Sequence, residues 1–341
     1  MVGIVAYGYY VPAYRITTSE IARVWGKTGD TIQSSLAVAQ KAVAGVDEDA
    51  LTMAYEASAQ AISVGHVATD DIGVVFVGSE SHPYSVNPTS TILGEFLGIP
   101  NQYLAFDTQF ACKAATGAMM AAAGLVKSGF SKNALICASD KATGKPHDAL
   151  EYTAASGAVA VVLGSENVAL EIVDMLSYSS DTPDFWRREG IRYPSHGGRF
   201  TGKPSYFAHV TSATEKLLEK TGHSPADFAH AVFHMPNGKF PAQAAQALGF
   251  SQAQVERSLV VSSLGNSYTA SALMGLVNVL NEVRPGELIY FCSYGSGAGS
   301  DAYIFRATEH IDRVRVDFTA TREKTTTISY PEYLKRMGTI G

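Results

Sequence analysis

Two stretches of this chain repeat one another in form, and that echo constrains the fold more than any other feature. Phe106–Asp140 (FDTQFACKAATGAMMAAAGLVKSGFSKNALICASD) reads as a turn, a small-residue helix, a short loop and a strand. Val260–Gly295 (VVSSLGNSYTASALMGLVNVLNEVRPGELIYFCSYG) reads in the same order at nearly the same spacing. Cys112 and Asn266 fall at matching positions, each just before a helix rich in Ala, Gly, Met and Leu. A helix that is apolar all round is buried. Self-similarity on this scale implies two related halves, here 1–166 and 167–341, whose long helices pack between two sheets about a pseudo-two-fold axis.

The remaining sequence fits a layered α/β chain. IGVVFVGSES, GAVAVVLGS, HAVFHMPNG and ELIYFCSYGSG are apolar runs that end in polar turns and predict strands, with Ala-rich amphipathic helices between them. Sites in such folds collect at the carboxyl ends of strands. The opening MVGIVAYGYYVP has no basic leader and predicts a first strand. About 177–207 is aromatic, basic and long for a connection, which predicts an ordered flap. About 306–341 is more charged and reads as an appended C-terminal arm.

Composition narrows the function classes. With 341 residues, 46% of them hydrophobic and 17% charged, the chain can bury a large core and is not expected to be disordered. A net charge of −6 gives no global reason to bind nucleic acid. No apolar run approaches the roughly 18 to 20 residues that span a bilayer. Three cysteines, Cys112, Cys137 and Cys292, form neither a disulfide framework nor a metal-ligand pattern, so no metal site and a reducing, cytoplasmic setting are expected.

Five segments carry residues suited to chemistry. Cys112 stands at a helix N-terminus, where the dipole and free backbone N–H groups favour thiolate. In isolation it reads equally well as a small core residue. His234 ends an apolar run before a Pro-Asn-Gly turn and suits stabilising a thiolate or donating to a thioester carbonyl. Glu80 follows a strand in a Gly-Ser-Glu-Ser turn, where burial would raise its pKa and fit it for acid/base work. Asn266 and the Gly295–Ser296 turn can face a developing oxyanion.

Taken together, GSESHPY, FACKAATGA, FHMPNGKFP, GNSYTAS and SYGSGAGSD, in this order over roughly Val2 to Phe305, resemble the thiolase superfamily, and within it the hydroxymethylglutaryl-CoA synthases of archaeal type. The resemblance implies a five-layered αβαβα fold with buried central helices. It implies an acyltransferase that condenses acetyl-CoA with acetoacetyl-CoA and water, releasing 3-hydroxy-3-methylglutaryl-CoA and CoA for mevalonate and isoprenoid synthesis. Cys112 would carry the acetyl group, Glu80 would act as the base, and His234 would orient the acceptor. Asn266, Gly295 and Ser296 match the substrate-orienting and oxyanion elements.

CoA thioesters would be substrates, with no separate cofactor. Lys239, Arg199, Lys203, His196 and Tyr206 are the candidates for CoA contacts. The flap SHGGRFTGKPSYF departs from the bacterial and eukaryotic forms, so their CoA contacts do not carry over. The resemblance also implies a homodimer, and a complex with an acetoacetyl-CoA thiolase and a zinc-ribbon, OB-fold bridging protein. The competing readings are a ketoacyl synthase III-like or polyketide-type acyltransferase, and a non-catalytic subunit of a thiolase complex. Decarboxylative condensation needs no enolising carboxylate, so Glu80 favours the synthase.

Overall fold

The computed structural model describes residues 1–319 and 324–340. The first half contains β1 (Gly3–Tyr10), β2 (Tyr14–Thr17), α1 (Thr18–Val24), α2 (Gly29–Leu36), β3 (Gln40–Val43) and α3 (Ala50–Val64). It continues with β4 (Ile72–Gly78), α4 (Thr89–Phe96), β5 (Leu104–Thr108), α5 (Ala114–Lys127), β6 (Asn133–Lys141) and β7 (Ser156–Gly164). The second half contains β8 (Leu170–Ser179), β9 (Phe185–Trp186), β10 (Ser195–His196), α6 (Ala208–Thr221), β11 (His230–Phe233) and α7 (Phe240–Ala247). After it come α8 (Gln252–Glu256), α9 (Val261–Leu264), α10 (Ser271–Leu280), β12 (Leu288–Cys292), β13 (Gly299–Ala307) and β14 (Thr326–Thr327).

The echo seen in the sequence is an echo in topology. One half-sheet has the order β5-β4-β6-β7-β1, the other β11-β12-β13-β8. β1 and β8 join them, antiparallel, with Gly3 opposite Glu171 and Ile4 opposite Leu170. The second half has no described counterpart of β5. The stretch that would supply it turns into the short helix α9.

Five layers follow from which faces are apolar. The α3 helix, capped by Asp49 and Thr52 in a reciprocal box, buries Ala54, Ala57 and Ala61 on the outer face of the first half-sheet. In the middle, Ala115, Met119 and Ala122 of α5 share one cluster with Leu273, Leu276 and Val277 of α10. Phe76, Phe291 and Phe305 enter that cluster from the sheets. The outer face of the second half-sheet is covered by Val210, Ala213 and Leu217 of α6. β7, covered on both faces, is buried along its whole length, which is why it reads as an unbroken apolar run.

Two sequence expectations are corrected. Ser177–Ser179 are not flap but the end of β8, with Ser179 opposite Gly299 of β13. Beyond them the flap is ordered: β9 and β10 form a small hairpin, and 202–207 wind as a π-helical turn into α6. The C-terminal arm is not an appendage either. β13 runs on to Ala307, β14 pairs parallel with β2, and the last helix, Tyr330–Arg336, buries Tyr330 and Tyr333 against Ile16, Ile21 and Tyr152. Part of the expected arm, 320–323 and 341, lies outside the described residues.

Candidate active site

The parallel strands β4 and β6 bring Glu80 and Asp140 together, because neighbouring parallel strands end on the same side. Asp140, fully buried, accepts at Oδ1 from Ser79 Oγ (2.9 Å), Glu80 N (2.8 Å) and Ser81 Oγ (2.7 Å). Its Oδ2 accepts from Thr269 N at 3.0 Å. One carboxylate thus holds the Glu80 turn of the first half against the 268–270 turn of the second.

Cys112 lies two residues before α5, after Ala111, which sits in the left-handed region at φ 45°. Gly265 holds the matching place before Asn266, at φ 77°, where a Cβ would lie 2.7 Å from Lys41 Cβ and 2.8 Å from the Thr153 carbonyl. A residue of positive φ therefore precedes both groups, a thiol in one half and an amide in the other. Cys112 Sγ donates to Glu80 Oε1 at 3.0 Å. Asn266 Oδ1 accepts from Tyr268 N at 3.0 Å, which leaves its NH2 as the group free for a ligand.

His234 follows β11. Its backbone N–H donates to the Cys292 carbonyl at 2.8 Å, and Tyr206 Oη donates to the His234 backbone carbonyl at 2.8 Å. A cavity of about 220 Å³ is lined by Cys112, His234, Asn266, Tyr294, Ser296 and the flap residue Phe185. Glu80 lines a separate cleft of about 400 Å³ with Phe110, Trp186 and Arg187. Phe185 and Ser296 border both, so the Cys112–Glu80 contact spans the partition between them.

Electrostatics here contradict one expectation. Burial, then the charge of Glu80, pushes the Cys112 thiol well above its ordinary pKa, so in this state it is a thiol and not a thiolate. The helix dipole is outweighed because an unpaired buried charge costs more than one helix end returns. Burial and the charge of Asp140 raise Glu80 to about 8. Burial lowers His234 to about 3. His234 is then neutral at pH 7 and acts as a hydrogen-bonding group, with no positive charge to lend a thiolate. In proton NMR, the imidazole resonance removed by His234→Gln is expected to stay flat from pH 5 to 8. A titration step near 6.5 would contradict a neutral, desolvated ring.

The peripheral candidates divide. His196 lines the cavity and pairs with Asp148 at 3.0 Å. Lys239, Arg199 and Lys203 are exposed next to the cavity-lining residues Asn237, Gly198 and Thr201, a placement at its rim. Tyr206 is fully buried behind His234, so it positions that residue and does not meet a ligand. Gly295 is also reassigned. Its N–H donates to the Gly299 carbonyl at 2.8 Å, which leaves the oxyanion expectation to Ser296.

Sequence reasoning missed Asp140, Tyr268 and Leu36. A strand-terminal aspartate in ALICASDKA was the available signal for the first. Leu36, which lines the cavity, lies in the region of β2, α1, α2 and β3, whose short elements carry little periodicity.

Residues 106–181 match the family described as 3-oxoacyl-[acyl-carrier-protein] synthase III, and 218–307 match the C-terminal part of that family. A solved structure described as MvaS in complex with 3-hydroxy-3-methylglutaryl coenzyme A superposes with a TM-score of 0.91 at 26% identity, over 100% of this chain and 92% of that one. An HMG-CoA synthase complexed with CoA shares the fold at TM-score 0.89 and 21% identity, over 98% of this chain and 89% of that one. The hydroxymethylglutaryl-CoA synthase of Archaeoglobus fulgidus is 52% identical over 312 residues, 92% of this chain and 91% of the relative. That of Methanosarcina barkeri is 48% identical over 344 residues, 99% of each chain. With about half its residues shared across nearly the whole length of such relatives, the chain belongs to the hydroxymethylglutaryl-CoA synthase family.

Proposed function

We propose that this protein condenses acetyl-CoA with acetoacetyl-CoA and water to give 3-hydroxy-3-methylglutaryl-CoA and CoA, the step that feeds mevalonate and isoprenoid synthesis. The observation that carries the reading is the 3.0 Å contact between Cys112 Sγ and Glu80 Oε1 beside a cavity containing His234 and Asn266. It joins a nucleophile to a carboxylate held near neutral-pH titration, as general acid/base catalysis requires.

In this reading the Cys112 sulfur attacks the acetyl carbonyl, the C–S bond to CoA breaks, and the thiol proton passes to the departing CoA thiolate. Glu80, as a carboxylate, then removes a methyl proton from the acetyl thioester. The carbanion forms a carbon–carbon bond to the ketone of acetoacetyl-CoA, and Glu80 returns its proton to the new alkoxide. Neutral His234 and the Asn266 NH2 donate to the acceptor's oxygens, with Ser296 at the acyl oxygen. Water then cleaves the Cys112 thioester and restores the thiol. Positioned oxyanion donors of this kind contribute about 3 kcal/mol each.

Lys239, Arg199, Lys203 and His196 stand around the cavity mouth and are assigned to the CoA phosphates and pantetheine. No separate cofactor enters this scheme. A homodimer is supported by the outer edge of β5, where Leu104 and Phe106 are exposed. A complex with an acetoacetyl-CoA thiolase and a zinc-ribbon, OB-fold bridging protein is part of the same proposal and rests on the family resemblance alone. A cytoplasmic location is also part of it, and rests on three cysteines too few for a disulfide framework. Among the described residues no helix is long and apolar enough to cross a membrane.

Mass analysis after mixing the protein with acetyl-CoA and acetoacetyl-CoA tests the reading. The expected product is 3-hydroxy-3-methylglutaryl-CoA. Condensation only with malonyl donors would instead establish the ketoacyl synthase III-like alternative.

A further inference from the structure

Directly after the nucleophile, Lys113 turns away from the cavity into the protein. Its side chain is 3% exposed, that of Asp301 is fully buried, and Lys113 Nζ donates to Asp301 Oδ1 at 2.8 Å. A buried ion pair is tolerated only when its remaining valences are satisfied, and here they are. Ser177 Oγ donates to Asp301 Oδ1 at 2.6 Å, and Thr116 Oγ1 donates to Asp301 Oδ2 at 2.8 Å. Thr116 Oγ1 also meets Ser293 Oγ at 2.7 Å. Lys113 Nζ stands 3.8 Å over the Phe110 ring.

The partners come from both halves. Phe110, Lys113 and Thr116 belong to the Cys112 turn and α5, while Ser177, Ser293 and Asp301 belong to β8, β13 and the end of β12. The segments between them are those that form the site. Gly295 packs so closely on this turn that a Cβ there would lie 2.4 Å from the Phe110 carbonyl and 2.9 Å from Lys113 Cγ. Ser296 is the next residue. Whatever holds Lys113 to Asp301 therefore sets the distance from Cys112 Sγ to Ser296.

We infer that Lys113 and Asp301, with Thr116 between them, are positioning residues for acyl transfer: the pair locks the Cys112 turn of one half to the Gly295–Ser296 turn of the other. The inference rests on Cys112 being the acyl carrier. An uncharged pair of similar size can fill such a slot without an unpaired buried ion, but it does not hold direction as an ion pair with three hydrogen bonds on one carboxylate does. A displacement of about 1 Å at reacting atoms costs on the order of 100-fold in rate.

The test uses the full chain and two variants, Lys113→Met/Asp301→Asn together and Thr116→Val. Neutralising both charges avoids an unpaired buried ion, while Thr116→Val keeps the pair and removes one of its anchors. Rapid-quench labelling with radioactive acetyl-CoA and steady-state rates are both read. The expected result is a fall of 10-fold or more in acetylation rate and kcat, with KM for acetyl-CoA within twofold of wild type and circular dichroism unchanged. Thr116→Val decides the matter alone if the double variant does not accumulate as folded protein. Folded variants that acetylate at the wild-type rate overturn the inference. A wild type that takes up no label overturns the acetyl-enzyme reading on which it rests.

Discussion

Cys112→Ala is expected to abolish acetyl-enzyme formation and to lower condensation by ~10⁴-fold or more, the scale on which removing a nucleophile from a cooperating group acts. The side chain is 5% exposed, so the change leaves a small void and costs about 1 kcal/mol of stability. The protein should therefore stay folded while its chemistry stops. Loss of the thiol also removes the hydrogen bond it gives Glu80 at 3.0 Å. No other cysteine can substitute. Cys137 and Cys292 are fully buried within strands, and burial pushes both thiols up to about 12. Quenched labelling with radioactive acetyl-CoA checks this. Equal label on wild type and variant would place the acyl group elsewhere.

What made this cysteine legible was its place in a repeat. A lone cysteine before an Ala-rich helix says little, but one opposite Asn266 in a second copy predicts that both face one cleft, and both line the same cavity. Strands were equally legible where burial is continuous, as in β7 and β12, because short apolar runs that lead into Gly- and Ser-containing turns have few other readings. Two kinds of information were not readable. The thiol's protonation depends on a carboxylate 32 residues away in sequence, which spacing does not report. The C-terminal helix looked detachable because its charges are visible in composition, whereas the buried Tyr330 and Tyr333 find their partners more than 175 residues away, at Glu151 and at Lys41. Long-range pairing of polar groups was also why Asp140, Lys113 and Asp301 were missed.

Glu80→Gln is expected to separate the two halves of the reaction. Glutamine keeps the shape and an acceptor oxygen for the Cys112 thiol but cannot take a proton. It also removes the negative charge that helps hold that thiol protonated, so the sulfur becomes more acidic. Acetylation should then persist within about 10-fold of wild type, while carbon–carbon bond formation falls by roughly 10²- to 10⁴-fold, the usual contribution of a positioned base. In the wild type, the rate of the enolisation step should rise with pH towards a plateau above about 8, as Glu80 ionises, and this limb should vanish in the variant. The sign for stability is opposite. A carboxyl whose folded pKa is raised stabilises the fold fully below its unfolded value, and that contribution is lost as pH climbs through the folded one. Between about pH 4.5 and 8 the wild type therefore loses stability that Glu80→Gln keeps. The variant's melting temperature at pH 9 should exceed that of the wild type by at least roughly 2 °C, or ~1 kcal/mol in a chain of this size. Greater stability at high pH together with trapped acetyl-enzyme identifies Glu80 as a group held under strain for catalysis. An acetylated variant that still condenses at the wild-type rate would assign the base to another residue.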